Sequence, residues 1–324
     1  MTSELSSLCS YAKGKVSVDT LSKRNYVSTE NMMPNKGGIV DAGALPSAQY
    51  TQQYIKDDIL VSNIRPYFKK IWMADDDGGC SNDVLVFRAD RGCDSTFLYY
   101  ILANDAFFNY ASATSKGTKM PRGDKTAIMQ YKVPCFNYET QLRIGKLLRS
   151  IDDRIAVNKK INDNLQQQLF SLYENMATAS PCLKEYTLSN LCDFQEGYVN
   201  PPQTHPEYFD GEVKWLRAVD INESFIIETS RTLTKAGFES AKKSALLFEP
   251  NTIAISKSGT IGRLGIIADY MCGNRAVINI APHDTNMLAF IYCFLKSKQR
   301  EFPDMAVGSV QKNLYVSLLE PLSV

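Results

Sequence analysis

The chain repeats itself, and this duplication limits its possible folds more than any other feature. LSSLCSYAKG at 5–14 recurs as LSNLCDFQEG at 188–197, and YVSTENM at 26–32 parallels WLRAVDI at 215–221. Three further alignments match Ser62 with Ser256, Cys80 with Cys272 and Gly117 with Gly308. Because the segments recur in the same order at a nearly constant separation, the sequence predicts two modules built on one pattern.

Each module mixes strand-like and helix-like segments. ILVSNIR and IAISKSG are short, apolar and bounded by turn residues, whereas FLYYILANDAFF and LAFIYCFLKSK have helical length and periodicity. At 324 residues the chain has room for two domains of ordinary size. We therefore predict an α+β protein with two duplicated mixed α/β modules, at 1–138 and 179–324.

The segment between them, 139–178, has a different character. It lacks proline up to residue 176, and Pro181 then prevents continuation of a helix. Seam positions recur at alternating steps of four and three: Ile144, Leu148, Ile151, Ile155, Asn158, Asn162, Leu165, Leu169, Leu172 and Met176. The pattern predicts one long helix with a coiled-coil seam that needs a partner helix. The two asparagines either align that partner or mark a frayed polar section.

Composition excludes several classes of protein. The net charge is only +1, so DNA binding would have to rest on local patches. Eight cysteines form no C-x-x-C pair and the two histidines lie far apart, so we expect neither a metal site nor a cofactor. The longest apolar run, 287–295, is too short to span a bilayer and the start resembles no signal peptide. We expect a cytoplasmic protein without membrane contact.

Together these features resemble the specificity subunits of type I restriction-modification enzymes. The resemblance covers essentially the whole chain and rests on WLRAVDI, SGTIGRLGI (258–266), GSVQKNL (308–314) and ETQLRIGKLLRSIDDRIAVNKKINDNL (139–165), in this order and duplicated. Such a likeness implies that each module is a target recognition domain for one half of a split DNA sequence. It also implies that the long helix is a spacer and a docking site for methyltransferase subunits.

In that family the specificity subunit has no catalytic centre. Modification subunits, which use S-adenosylmethionine, carry out methylation. ATP-driven restriction subunits carry out cleavage, and they are a possible second class of partner. A helix over 139–176 would be about 57 Å long, or about 17 base-pair steps of duplex DNA. The expected length therefore suits two separated half-sites.

Two loops are the first candidates for DNA contact. SKGTKMPRGDK (115–125) offers Lys116, Thr118, Lys119, Arg122 and Lys125, of which Arg122 suits guanine and the others suit phosphates. The counterpart offers Ser309, Gln311, Lys312 and Asn313, and its amides suit adenine. A merely solvated basic loop is the alternative.

Three further segments are weaker candidates. SNIRPYFKK supplies Ser62, Asn63 and Arg65, with Tyr67, Lys69 and Lys70 beside them. SKSGT supplies Ser256, Lys257, Ser258 and Thr260. A turn with solvated charges explains both segments equally well. Arg217 in WLRAVDI either contacts DNA or pairs with Asp220.

Three motifs resemble catalytic ones but do not fit them. NPPQ (200–203) has glutamine where DNA amino-methyltransferases have an aromatic residue, and no glycine-rich cofactor loop precedes it. SGTIGRLG lacks the lysine of a P-loop and favours a tight turn between strands. DDDGG (75–79) favours a surface turn over a cation site. We therefore expect a subunit that is not an enzyme.

Two rival functions remain open at this point. A fused nuclease or methyltransferase would need a metal-carboxylate cluster or a cofactor loop. A coiled-coil adaptor would join proteins without touching DNA. The DNA bases read, the spacer length and the oligomeric state do not follow from the sequence.

The chain's last segment, GSVQKNLYVSLLEPLSV, aligns Val324 with Val133, just before the first module leads into the long helix. From this alignment we expect a second helical region to be missing. One hypothesis is that the seam of the first helix pairs with a second copy of the chain or with another partner helix.

Overall fold

The computed structural model describes residues 2–179 and 185–324, so the predicted helix stop at Pro181 lies outside the described residues. The chain forms two compact units, Met1–Ile161 (unit 1) and Asn162–Val324 (unit 2). Both combine β-sheets with helices, and a long helix lies between the duplicated parts. The predicted α+β architecture is confirmed.

The described residues of unit 1, 2–161, form ten short strands. They are β1 Thr2–Glu4, β2 Cys9–Tyr11, β3 Lys15–Ser17, β4 Tyr26–Val27, β5 Tyr50–Tyr54, β6 Ile59–Ser62, β7 Ile71–Met73, β8 Gly78–Cys80, β9 Val84–Ala89 and β10 Lys132–Pro134. Two four-stranded sheets have the orders β2-β9-β6-β7 and β3-β5-β8-β4, and β1 pairs with β10.

The apolar runs 59–61 of β6 and 84–87 of β9 are buried on both faces of the sheet, which explains why apolar and polar residues do not alternate there. Ile59 and Val61 face one cluster, which contains helical residues such as Phe97 and Phe107. Leu60 faces the second cluster together with Val84 and Val86 from β9. Unit 1 is therefore layered as helices, sheet and second sheet.

Three short helices cover the outer face of this sheet: α1 Ser95–Leu102, α2 Asp105–Ala113 and α3 Lys125–Met129. Each begins after a residue whose side chain accepts hydrogen bonds from the first turn: Asp94, Asn104 and Asp124 respectively. Such N-caps satisfy amide groups that have no partner within the helix.

The long helix α4 spans Tyr138–Ala179 and has 42 residues. Its start packs on unit 1, where Gln141 and Gly145 are buried and Ile144 contacts the core. Near its end, Tyr173 packs against Phe290 in unit 2, with ring centroids 5.5 Å apart. The heptad pattern therefore predicted a helix that does form.

Unit 2 repeats the layered arrangement. Its strands are β11 Cys192–Glu196, β12 Phe209–Leu216, β13 Phe225–Ile226, β14 Thr232–Leu233, β15 Leu247–Phe248, β16 Thr252–Ser256, β17 Leu264–Ile267, β18 Met271–Gly273 and β19 Val277–Pro282. Its helices are α5 Leu188–Leu191, α6 Lys235–Glu239, α7 Leu288–Ser297, α8 Phe302–Met305 and α9 Val316–Leu319. The sheets have the orders β11-β19-β16-β17-β13 and β14-β12-β18-β15.

The strand register tests the sequence alignment of the two halves. Ser62 pairs with Val84, and Ser256 pairs with Val277, so the two serines hold equivalent places. The match of Cys80 with Cys272 is out by one residue, because Tyr26 pairs with Gly79 whereas its counterpart Trp215 pairs with Cys272. The segments before β8 and β18 differ in length, and the sequence alignment did not show where. Cys80 and Cys272 are therefore the same type of residue at adjacent, not equivalent, positions.

Among the described residues, no helix combines the length and the apolar character needed to cross a bilayer.

Candidate nucleic-acid interface

The first candidate loop of unit 1 lies between α2 and α3 and has a closed shape. Lys116 and Arg122 exchange two backbone hydrogen bonds, each 2.9 Å long, and so form the base of a loop over 117–121. Gly117 stands at φ +96°, a conformation that glycine adopts without strain. The side chains of Thr118 and Lys119 are exposed on this loop.

A second segment, directly after β6, holds this loop in place. The Asn63 carbonyl accepts the N–H of Gly123 at 3.1 Å, and the Arg65 N–H donates to the Pro121 carbonyl at 2.8 Å. The two regions named as candidates in unit 1 are thus one structure. We call residues 62–65 and 115–125 together the unit 1 paired loops.

Carboxylates inside the unit 1 paired loops and beside them offset part of their positive charge. Lys116 Nζ lies 2.5 Å from Asp124 Oδ2, and Arg122 lies 3.0 Å from Asp83 Oδ1. The hydrogen bond from Lys116, together with backbone N–H groups of α3, holds the pKa of Asp124 below its usual range. Lys125 is exposed, with its ammonium 6.0 Å from the Tyr11 ring. The loop is basic but internally ordered.

Unit 2 builds the same arrangement from different side chains. Val307 and Asn313 exchange backbone hydrogen bonds of 3.0 and 2.9 Å, and Gly308 at φ +140° matches Gly117. The Leu314 N–H donates to the Lys257 carbonyl at 2.9 Å, just as Gly123 donates to Asn63. We call residues 256–258 and 307–314 the unit 2 paired loops.

The tip of the unit 2 paired loops is open to solvent. Ser309, Gln311 and Lys312 are exposed, and Asn313 is half-buried, with its amide nitrogen donating to the Gln311 carbonyl at 3.0 Å. Val310 is fully exposed, which the sequence reasoning did not single out. This tip presents amide, ammonium and apolar groups together.

Three residues named as DNA candidates instead have structural roles. Lys257 forms a 2.8 Å ion pair with Glu196 and lies 4.7 Å from the Tyr315 ring centroid, and its side chain is only 14% exposed. Ser256 is fully buried, where its hydroxyl donates to the Thr260 carbonyl. Ser62 is buried and donates to the Ile64 carbonyl at 3.1 Å. Since these groups are already bonded inside the unit, they are not among the main contacts proposed below.

Arg217 makes the ion pair that was predicted as the alternative to DNA contact, with its Nε 3.7 Å from Asp220 Oδ2. Its backbone N–H donates to Asp220 Oδ2 at 3.0 Å, its guanidinium donates to the Ser230 hydroxyl at 2.6 Å, and it packs 5.6 Å from the Trp215 ring. The arginine thus closes a turn rather than extending into solvent.

Two polar atoms beside the unit 1 loop are buried without a hydrogen-bond partner among the described residues: Asn63 Oδ1 and Arg65 Nε. Desolvated groups without partners are costly, so they are usually retained for a reason. Ser258 is half-buried on the corresponding turn of unit 2, and Thr260 is exposed there.

The predicted seam of α4 is buried only near its start. Ile144 and Leu148 are half-buried, whereas most of the later seam is exposed: Ile151, Ile155, Asn158, Asn162, Leu165, Leu169, Leu172 and Met176. Val157 and Ile161, beside the asparagines, are exposed apolar residues that the strict spacing omitted. The helix therefore presents an apolar stripe to solvent.

No cluster of three or more metal-ligating side chains occurs within the described ranges 2–179 and 185–324. The SGTIGRLG motif joins β16 to β17, with Gly259 and Gly262 at positive φ. The predicted tight turn between strands is therefore present.

Comparison with known proteins agrees with this architecture. The curated MjaIX specificity subunit of a type I restriction enzyme from Methanocaldococcus jannaschii is 24% identical over 146 residues, which are 44% of this chain and 34% of the relative. The match thus spans about a third of that relative's length.

Solved structures extend the comparison over the whole chain. The type I restriction-modification S subunit from M. genitalium superposes with a TM-score of 0.61 at 19% identity, covering 100% of this chain and 83% of that one. The HsdS subunit from Thermoanaerobacter tengcongensis has a TM-score of 0.41 at 16% identity, with coverage of 100% and 83%. The first of these establishes the likeness of fold.

A family model supplies the assignment. The model described as the type I restriction modification DNA specificity domain matches residues 1–167 and again 183–324, once for each half of the chain. The chain therefore belongs to the type I restriction-modification DNA specificity domain family.

Proposed function

We propose that this chain is the non-catalytic specificity subunit of a type I restriction-modification complex, in which each unit binds one half of a bipartite DNA target. One observation carries the proposal: both units hold a glycine-based loop by equivalent backbone hydrogen bonds to the turn after their central strand. Recognition of two different half-sites requires two loops that are held in the same way but carry different side chains at their tips. The two paired loops meet this requirement.

The main proposed contacts are nine polar residues on the 115–125 and 309–313 segments of the paired loops. They are Lys116, Thr118, Lys119, Arg122 and Lys125 in unit 1, and Ser309, Gln311, Lys312 and Asn313 in unit 2. Lysines suit phosphates, Arg122 suits a guanine edge, and the amides of Gln311 and Asn313 suit adenine. The different tips lead us to expect two different half-site sequences.

We further propose that α4 is the spacer between the two recognition domains, taken as 1–138 and 179–324, and the docking site for methyltransferase subunits. The exposed seam supports this role, because an apolar stripe on a helix is stabilised when another helix covers it. A second copy of the chain could supply such a helix, because it carries the same apolar stripe. Restriction subunits would join the same complex.

The test is to map methylated adenines in cells that carry this chain together with type I methyltransferase subunits. We expect one bipartite motif. Alanine at Arg122 should relax one half of the motif and alanine at Gln311 the other half, because both residues are assigned to base edges. Both variants should leave the spacer length unchanged. A motif that responds identically to both variants would contradict the assignment of one half-site to each unit. Binding of the methyltransferase subunits without any DNA binding would instead identify an adaptor.

A further inference from the structure

The loop between β6 and β7 distinguishes unit 1 from unit 2. In both units the turn is closed by equivalent backbone hydrogen bonds: Ser62 donates to the Lys70 carbonyl at 3.1 Å, and Ser256 donates to the Arg263 carbonyl at 2.9 Å. Asn63 and Lys257 also occupy matching places, as their bonds to the paired loops show. Residues 64–69 and 258–262 are therefore corresponding turns. The unit 1 turn is one residue longer, so the two turns are compared by counting from each end.

Both turns use left-handed backbone at two places, two residues after Asn63 or Lys257 and directly before Lys70 or Arg263, but with different residues. Unit 2 has Gly259 at φ +75° and Gly262 at φ +83°. Unit 1 has Arg65 at φ +51° and Lys69 at φ +52°. Glycine meets this geometry without strain, whereas a residue with a Cβ atom destabilises the fold there. Unit 1 thus keeps two cations where the backbone alone favours glycine, which is typical of functional positions.

Between these cations, unit 1 exposes two aromatic rings. Tyr67 is 51% exposed and Phe68 is 39% exposed, and their ring centroids are 4.8 Å apart. In unit 2 the intervening residues are Thr260 and Ile261, and Ile261 packs against the core. Neither ring belongs to the buried core clusters of unit 1, and both rings present surface to a partner.

A neighbouring turn makes the aromatic pair rigid. The N–H groups of Asn35 and Lys36 donate to the carbonyls of Phe68 and Lys69, both at 2.8 Å. Asn35 and Lys36 also stand at positive φ. Lys36 and Lys69 flank Asp105 at 2.7 and 3.0 Å, which leaves this group of three side chains with a net positive charge.

The segment directly adjoins the proposed DNA contacts, because the Arg65 N–H donates to the Pro121 carbonyl in the unit 1 paired loops. Exposed aromatic rings among cations suit nucleic acid, since the rings stack on bases while the cations neutralise phosphates. Apolar side chains of this kind also enter between base steps and unstack them.

We propose that Arg65–Lys69 is an aromatic wedge with which unit 1, and not unit 2, unstacks a base step in its half of a DNA duplex, while Arg65, Lys36 and Lys69 contact the flanking phosphates. This inference rests on the proposed function. Flexible pyrimidine–purine steps are the DNA sequences that such a wedge favours.

The experiment begins with selection of binding sequences from a randomised duplex library, using the full chain together with methyltransferase subunits. The selected duplex is then prepared with 2-aminopurine at successive positions, because this base fluoresces more strongly when it is unstacked. We expect fluorescence to rise on binding within one half-site. The Tyr67→Ala/Phe68→Ala variant should abolish the rise and weaken binding about 5- to 150-fold. Tyr270→Ala removes a similarly exposed ring of unit 2 that lies outside the paired loops; it is the control and should leave both signals unchanged.

A second variant separates a functional role from a structural one. Arg65→Gly/Lys69→Gly installs the residues that unit 2 uses, so its melting temperature should equal or exceed that of the parent chain. Its DNA affinity should nevertheless fall, with a shallower salt dependence because phosphate contacts are lost. A lower melting temperature with unchanged affinity would show that the cations serve only the fold and would overturn the proposal.

The remaining outcomes separate this inference from the function on which it rests. If Arg122→Ala weakens binding while the Tyr67→Ala/Phe68→Ala variant binds and unstacks DNA like the parent, the wedge is wrong and the recognition function stands. If no sequence is selected at all, both are wrong. If the aromatic variant loses the methyltransferase subunits but not DNA, the pair is a protein contact and the wedge is refuted.

Discussion

Replacing Arg122 by alanine should separate DNA recognition from folding. The guanidinium lies 3.0 Å from Asp83, and the two side chains are 57% and 36% exposed. An ion pair this exposed contributes about 0–1 kcal/mol to stability. The backbone hydrogen bonds that Arg122 exchanges with Lys116 do not depend on its side chain. We therefore expect the melting temperature to fall by no more than about 2–4 °C.

DNA binding should change much more. Loss of a bidentate contact to guanine costs about 1–3 kcal/mol of discrimination, which is about 5- to 150-fold in affinity for the selected duplex. If Arg122 contacts only a phosphate, all sequences should weaken alike and the salt slope should fall by about 1. Titration by fluorescence anisotropy at several salt concentrations, with matched and mismatched duplexes, distinguishes these cases.

Two controls sharpen the measurement. Arg122→Lys keeps the charge but removes the bidentate geometry, so it should restore a phosphate contact and not a base contact. Asp83→Asn releases Arg122 from its carboxylate, and we expect unchanged or tighter DNA binding. Parental affinity, discrimination and salt slope in a folded Arg122→Ala variant would refute the assignment of this residue to the interface.

Four other perturbations test the site and the long helix. In Gly308→Ala the new Cβ would lie 2.2 Å from the Gln311 carbonyl oxygen, whereas in Gly117→Ala the nearest atom would be 3.6 Å away. DNA affinity measured by anisotropy should therefore fall further in Gly308→Ala than in Gly117→Ala. Equal losses of affinity would contradict the proposed rigidity of the loops. Lys257→Ala should lower the unfolding free energy by about 1–3 kcal/mol, because Glu196 remains half-buried without its cation, and chemical denaturation should show this while the folded variant still binds DNA. Burial raises the pKa of Glu196, but hydrogen bonds from Lys257 and Tyr198 outweigh it and hold the pKa below the ordinary 4.5. The stability difference between the parent chain and Glu196→Gln should thus be complete above pH 4.5 and disappear as the pH falls through the folded-state pKa; a gap that persists in acid would argue against the ion pair. Finally, Leu165→Glu/Leu172→Glu places two charges on the exposed seam of α4. Sedimentation at high concentration should therefore show weaker self-association for this variant than for the parent chain. A parent chain that stays monomeric with an intact helix would count against self-pairing.

Several features of this protein follow from local sequence. Repeated segments show the two modules because homologous stretches adopt the same strands and helices, and the spacing of Ile144 to Met176 predicts α4 because helical periodicity is a local property. The loops with Gly117 and Gly308 were recognisable for a similar reason, since glycine between charged and amide residues marks an exposed turn.

Which polar side chains are free was decided by the tertiary structure. Lys257 and Arg217 look like DNA contacts in sequence, but distant partners, Glu196 for one and Ser230 for the other, engage them inside unit 2. Long-range pairing also brings the turn after β6 against residues 117–123, and it alone reveals that Arg65 and Lys69 stand where the second unit has glycine. Periodicity and composition record what each segment prefers by itself, whereas burial, ion pairing and left-handed backbone depend on neighbours that are distant in the chain.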